Sequence, residues 1–170
     1  MTHWVFGYGS LIWRPGFSFL RSEPARLDGY RRSLCVLSHK YRGTVERLGL
    51  VFGLDVGDYC HGMAFEVAEE HWPETLAYLR EREQVTMVYI EKQVSVILAS
   101  NQTAVEATTY VVDASHPQYA GHLGEASILH YVRQGHGEAG SCVDYVLQTA
   151  KHLRHMGFAD ADLEALARQI

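Results

Sequence analysis

The strongest constraint on this chain is the order of its hydrophobic patterns. Strand-like segments fill most of the first two-thirds, and helical ones fill the last third. Segregation of this kind points to an α+β fold rather than an alternating, doubly wound sheet. Trp4-Val5-Phe6-Gly7-Tyr8 is a short apolar run ending in glycines and Ser10, the pattern of a buried strand that stops at a tight loop. Leu11-Ile12-Trp13 is apolar again until Arg14-Pro15-Gly16 breaks it. Tyr30 to Leu37 reads as a strand with a charged edge at Arg31 and Arg32, and His39 to Arg47 as a polar loop. Leu48 to Leu54 and His61 to Val67 read as two strands parted by a turn at Gly57-Asp58.

A helical period interrupts the strands. Trp72, Leu76 and Leu79 recur at helical spacing, and Pro73 suits a first turn. Val85 to Leu98 and Ala104 to Val112 then read as a hairpin across Asn101-Gln102. From Glu125 the chain is helical. One short helix covers Ser127 to Gln134. A second, capped by Ser141 with Asp144 three residues on, runs to about His155. Gly157 ends it, and Asp160 caps a last one.

Length and composition narrow the function classes. At 170 residues one domain, residues 1–170, is expected, large enough to bury a core. The net charge of −5 gives no pull toward nucleic acid or an anionic membrane surface. No apolar run is long enough to span a bilayer, and the first residues lack the charged and apolar regions of a signal peptide. Cys35, Cys60 and Cys142 are odd in number and form no CxxC pair, as expected of reduced thiols in a cytoplasmic protein. The histidine spacings, such as His116 with His122 and His152 with His155, match no metal-binding pattern. Ser10 lies in GYGSL rather than GxSxG, so a Ser-His-Asp triad has little support.

Two features carry candidate chemistry. At about 100° per residue, Glu83 falls within roughly 20° of the helix face that carries Trp72, Leu76 and Leu79, whereas Glu81 points nearly opposite. A carboxylate on a core-facing stripe costs several kcal/mol if ionised and unpaired. Either the helix frays there, or Arg80 or Arg82 pairs with Glu83, or the carboxylate is a general base with a raised pKa. The second feature is Gly7-Tyr8-Gly9-Ser10-Leu11. It is either a plain tight turn or a concave set of backbone N–H groups able to hold a carboxylate or oxyanion. It lacks the GK[ST] of a P-loop and the third glycine of a dinucleotide fingerprint.

Together these features resemble the ChaC-type γ-glutamylcyclotransferases. The run from Val5 to Phe17, VFGYGSLIWRPGF, resembles that family's opening motif. Gly29-Tyr30-Arg31-Arg32, Arg42-Gly43-Thr44, Gly62-Met63-Ala64-Phe65 and Tyr119-Ala120-Gly121 match further motifs in order, and Tyr78-Leu79-Arg80-Glu81-Arg82-Glu83 resembles the helix ending in Arg-Glu. The resemblance spans nearly the whole chain. Two departures stand out. No glycine lies between Glu83 and Tyr89, and Tyr41-Arg42-Gly43-Thr44-Val45 stands where many members have His-Arg-Gly-Thr-Pro.

The resemblance implies a mixed sheet forming a small barrel with surrounding helices. It implies cyclisation of a γ-glutamyl substrate to 5-oxoproline by attack of its α-amine on its own γ-carbonyl. The substrate is a small molecule, either glutathione, which releases Cys-Gly, or another γ-glutamyl amino acid or amine. No cofactor or metal is implied. Glu83 takes the catalytic position, and Val5, Phe6, Gly7, Tyr8, Gly9, Ser10, Leu11, Tyr89 and Tyr119 take substrate-binding ones. A binding module without turnover on the same fold is the rival from another class, and it would have no reason to keep a carboxylate on an apolar helix face.

Overall fold

The computed structural model describes residues 1–84 and 87–170. Five strands, β1 (Thr2–Gly7), β2 (Arg21–Ser38), β3 (Gly49–Ala68), β4 (Tyr89–Leu98) and β5 (Ala104–Val112), close into a barrel in the order β1-β3-β2-β4-β5. The α-helices among the described residues are α1 (Trp72–Glu83), α2 (Glu125–Gln134), α3 (Cys142–His155) and α4 (Ala161–Ala167). This is the expected α+β mixed sheet with a small barrel and helices. β1 runs antiparallel to β3, from Thr2 opposite Ala68 to Gly7 opposite Met63. It also runs parallel to β5, through Trp4 with Ala107 and Val5 with Thr108. β4 and β5 form the expected hairpin, from Tyr89 with Val112 to Ile97 with Ala104.

Two local expectations fail for a shared reason. The chain does not turn at Gly57-Asp58; β3 runs unbroken for 20 residues. Gly57 instead makes room for a neighbour, since a Cβ there would sit 2.6 Å from Arg31 Cγ. Likewise β2 starts at Arg21 rather than near Tyr30, although Pro24 and Gly29 both discourage a strand. Pro24 lacks an N–H but accepts one from Ala99 at 2.9 Å, and Gly29 takes φ +89°. In both places long-range pairing outweighs a local turn signal. The strand expected from Val85 begins at Tyr89, and residues 85 and 86 lie outside the described residues.

The chain forms two compact units. The first comprises residues 1–32 and 54–113, the second 33–53 and 114–170. In the first, Pro73 sits in the opening turn of α1, and Thr75 and Leu79 are buried. Glu83 continues that ridge one turn on, as the last residue of the helix. Gln84 N–H closes the helix on Arg80 O at 3.0 Å. Leu79 packs with Val5, Leu11, Phe65, Val67 and Tyr110 into one apolar cluster. Truncating such a residue to alanine typically costs about 2–5 kcal/mol.

The second unit holds α2, α3 and α4. Ser141 Oγ accepts the Asp144 N–H at 3.0 Å, and Asp160 Oδ1 accepts the Leu163 N–H at 3.1 Å, so both expected helix caps form. The loop over residues 39–47 is anchored by Arg42, which is buried. Its guanidinium donates to Ser141 O at 3.0 Å and lies 5.3 Å over the Tyr145 ring.

Candidate active site

The site is built where β1 ends in the first unit. Val5 and Phe6 are fully buried, so their backbone is what they can offer a ligand. The Phe6 carbonyl already accepts a bond from Thr109 Oγ1 at 2.9 Å. After Gly7 the chain enters a 3-10 turn over Ser10–Ile12, closed by Ile12 N–H on Gly9 O at 3.0 Å. The ladder of this turn begins at Ile12, so its own backbone uses none of the N–H groups of Gly9, Ser10 or Leu11. Gly7 permits the fold-back, because a Cβ there would lie 2.8 Å from Leu11 Cβ. Leu11 then anchors the turn in the apolar cluster.

Three side chains fix this turn in place. Tyr8 is buried, and its hydroxyl donates to Tyr110 O at 2.9 Å. Arg32 donates from Nε to Tyr8 O at 2.6 Å and from its second nitrogen to His61 O. Arg82 donates to Ser10 Oγ at 2.6 Å and to Arg14 O at 2.7 Å. The turn is therefore held from β2, from β5 and from the end of α1. A cradle held on several sides meets a ligand without first paying the entropy of ordering itself.

Glu83 stands beside this cradle, next to Arg82. Its side chain is 17% exposed, with Arg82 Nε 3.5 Å from Oε1. The carboxylate is enclosed by protein on most sides yet not sealed from solvent. Burial pushes its pKa above the usual carboxylate range, and the Arg82 charge opposes that rise. Arg80, the other cation considered as a partner, instead holds Glu91 through two bonds of 2.9 and 3.0 Å. Glu91 also accepts the Tyr110 hydroxyl at 2.9 Å. The Arg80 bond, ahead of its other partners, keeps Glu91 below the usual range. Burial and the Glu91 bond raise Tyr110. Two carboxylates in one unit are thus driven apart, Glu83 toward holding a proton and Glu91 toward staying ionised.

The remaining candidates divide between the units. Tyr89, at the start of β4, is partly buried against the apolar cluster that underlies the turn. Tyr119 belongs to the second unit, where it forms an isolated bridge with Val36. Glu81 is exposed, as the helix arithmetic requires. Sequence reasoning missed Arg32 as a clamp on Tyr8, reading it as part of a charged strand edge. It also missed Tyr110 and Glu91, and it gave Arg82 no link to the turn. A signal for Arg82 was present in its spacing from Tyr78, which places the two side chains together. Their contact is 2.9 Å. Among the described residues no group of His, Cys, Asp and Glu has metal-binding geometry.

A buried proton acceptor beside a cradle of backbone N–H groups suits a reaction that removes a proton from a bound, carboxylate-bearing nucleophile. Comparison with known proteins points the same way. The sequence model of the family described as "ChaC-like protein" matches residues 3–170. The chain is 34% identical over 154 residues to Glutathione-specific gamma-glutamylcyclotransferase 1 of Danio rerio, covering 89% of this chain and 79% of that one. It is 29% identical to Glutathione-specific gamma-glutamylcyclotransferase of Escherichia coli (strain K12), covering 96% and 70%. Among solved structures, a yeast γ-glutamyl cyclotransferase specific to glutathione superposes with a TM-score of 0.88 at 22% identity, covering 98% of this chain and 94% of that one. That likeness shows the fold.

Proposed function

The chain belongs to the ChaC-like family, and from that premise we propose that it is a γ-glutamylcyclotransferase, a lyase that cleaves glutathione to 5-oxoproline and Cys-Gly. The observation that carries the reading is Glu83, an enclosed carboxylate with a raised pKa beside the Tyr8–Leu11 turn. The names of the similar proteins support glutathione as the substrate. One domain over residues 1–170 is part of the reading, supported by a single family model that runs to the last residue. A cytoplasmic location is also part of it, supported by three buried cysteines that form no disulfide among the described residues. No helix among the described residues is long and apolar enough to cross a membrane.

The steps follow from the chemistry of the groups. The N–H groups of the turn hold the γ-glutamyl end so that its α-nitrogen faces its own γ-carbonyl, a near-attack geometry that avoids a bimolecular encounter. Glu83 removes a proton from the α-ammonium, which frees the lone pair. The nitrogen bonds to the γ-carbon, and the carbonyl oxygen takes the charge. The carbonyl re-forms as the bond from the γ-carbon to the cysteine nitrogen breaks, Glu83 returns its proton to the leaving nitrogen, and the second proton of the attacking nitrogen passes to the departing amine, which leaves as an ammonium. Atoms balance with no external reactant. Tyr89, packed against the apolar cluster under the turn, joins the substrate-binding set in this reading.

The test is to incubate the purified protein with glutathione and with N-acetylglutathione, resolving products by mass. The expected products are 5-oxoproline and Cys-Gly from glutathione, and none from the acetylated substrate, whose nitrogen is no longer a nucleophile. Glutamate as the first product, or equal Cys-Gly release from both substrates, would make the attacking group a water and refute cyclisation.

A further inference from the structure

We propose that Arg82 is the positioning residue of this site, which locks the catalytic end of α1 onto the Tyr8–Leu11 turn and leaves the Ser10 hydroxyl free to donate to the substrate. The inference rests on the cyclotransferase reading and deepens it.

The guanidinium is only 18% exposed in its side chain, and its donors are spread over separate segments. One nitrogen donates to Ser10 Oγ at 2.6 Å. The other donates to Arg14 O at 2.7 Å and meets the Tyr78 hydroxyl at 2.9 Å. Nε lies 3.5 Å from Glu83 Oε1. Because Ser10 Oγ accepts from a cation, its own O–H is left to donate, and a charge-assisted bond makes it a stronger donor. The surroundings are shaped for this pair. Gly16 takes φ +75°, and a Cβ there would fall 2.1 Å from the Tyr78 hydroxyl oxygen, so the Arg14-Pro15-Gly16 segment closes over Tyr78 and Arg82 only with glycine. Helix anchoring does not need Arg82, since α1 is held by buried Thr75 and Leu79. A lysine could carry the charge but not the planar fork that reaches Ser10 and Arg14 together.

The same cation faces Glu83. Other titratable groups on this side of the unit include Tyr110 on β5, Tyr78 on the same guanidinium, Tyr89 against the same apolar cluster and, behind Tyr110, Glu91 of β4 bonded to Arg80. Arg82 is the one that favours the ionised form directly.

The experiment compares wild type, Arg82→Lys, Arg82→Met, Ser10→Ala and the Arg82→Lys/Ser10→Ala double variant. Each is assayed for 5-oxoproline formation from glutathione across pH, with a thermal melt alongside. Arg82→Lys is expected to lose about 10²-fold in kcat/KM by misplacement of the turn, with its acid limb unmoved. Ser10→Ala is expected to lose about 10²-fold as a lost donor, and the double variant no more than the worse single. Arg82→Met should lose further and move the acid limb to higher pH, because the cation favouring ionised Glu83 is gone. A merely structural staple would lower the active fraction without moving the limb, and its loss would add to that of Ser10→Ala. A wild type that makes no 5-oxoproline sinks the cyclotransferase reading and this inference with it. An active wild type beside an undiminished Arg82→Lys, or additive losses in the double variant, overturns the role of Arg82 alone. So does a folded Arg82→Met with an unmoved acid limb. If Arg82→Met does not fold, the lysine–serine cycle decides.

Discussion

Replacing Glu83 by glutamine should move activity and stability in opposite directions. The amide keeps the shape but cannot accept the substrate's proton. A positioned acid–base group is worth roughly 10² to 10⁴ in rate, so kcat should fall by that factor. Stability follows from the raised pKa. The folded chain holds the Glu83 proton to higher pH than the unfolded chain does. In acid the residue is neutral in both states and carries no penalty. As pH climbs through the folded pKa the enclosed carboxylate ionises, and the folded state loses stability that the unfolded state does not. Glutamine is neutral at every pH. A buried polar group short of partners costs about 1–3 kcal/mol, and the low end applies here, since 17% of the side chain is exposed and Arg82 lies 3.5 Å away. About 1 kcal/mol corresponds to a Tm rise of roughly 2–4 °C for a domain of this size. Calorimetry at acid and neutral pH is the assay. The two proteins should melt together in acid, and the variant should melt higher near neutrality. A variant that is equally active, or one destabilised at neutral pH, would refute the account of Glu83 as an enclosed base.

Four further outcomes follow from named positions. Arg32→Leu strands the Tyr8 and His61 carbonyls and should cost about 1.5–3 kcal/mol in urea unfolding while raising KM more than it lowers kcat. Gly16→Ala should reduce kcat/KM and stability together, because its Cβ meets the Tyr78 hydroxyl at 2.1 Å. Gly157→Ala, at φ +82° with nothing within 4 Å, should show only the backbone cost of about 1–2 kcal/mol and normal kinetics. Ser141→Ala removes the α3 cap and should cost about 1 kcal/mol in a thermal melt with kcat unchanged.

What could be read without the structure divides by range. Glu83 was legible because its peculiarity is local: a carboxylate at helical spacing from Leu79 and Trp72 must face the core. The caps at Ser141 and Asp160 were legible for the same reason. Arg82 and Arg32 were not. Their partners, Ser10 and Tyr8, sit far away in sequence, and an arginine on a helix or strand ordinarily means solvent. The break imagined at Gly57 failed in the opposite way. The glycine is a true local signal, but it answers to the Arg31 side chain rather than to a reversal of the chain. Spacing alone left the Val5–Phe17 run open between cradle and plain turn, and the cradle entered only as what the resemblance implies.

The parallel pairing of β1 with β5 bears on how the activity comes into being. Trp4 and Val5 pair with Glu66 and Phe65 on one side but with Ala107 and Thr108 on the other, so the second edge of the strand that leads into the turn is secured only after most of the chain has been made. Contacts of such long range form late and slow folding. On a ribosome, the turn would emerge among the first segments and lack its last anchor, the Tyr8 bond to Tyr110, until β5 follows. Partly folded intermediates of this chain should therefore be inert toward substrate even where α1 has formed. Catalytic competence is then a readout of barrel closure, and the recovery of turnover during refolding should track the last kinetic phase rather than the appearance of helix.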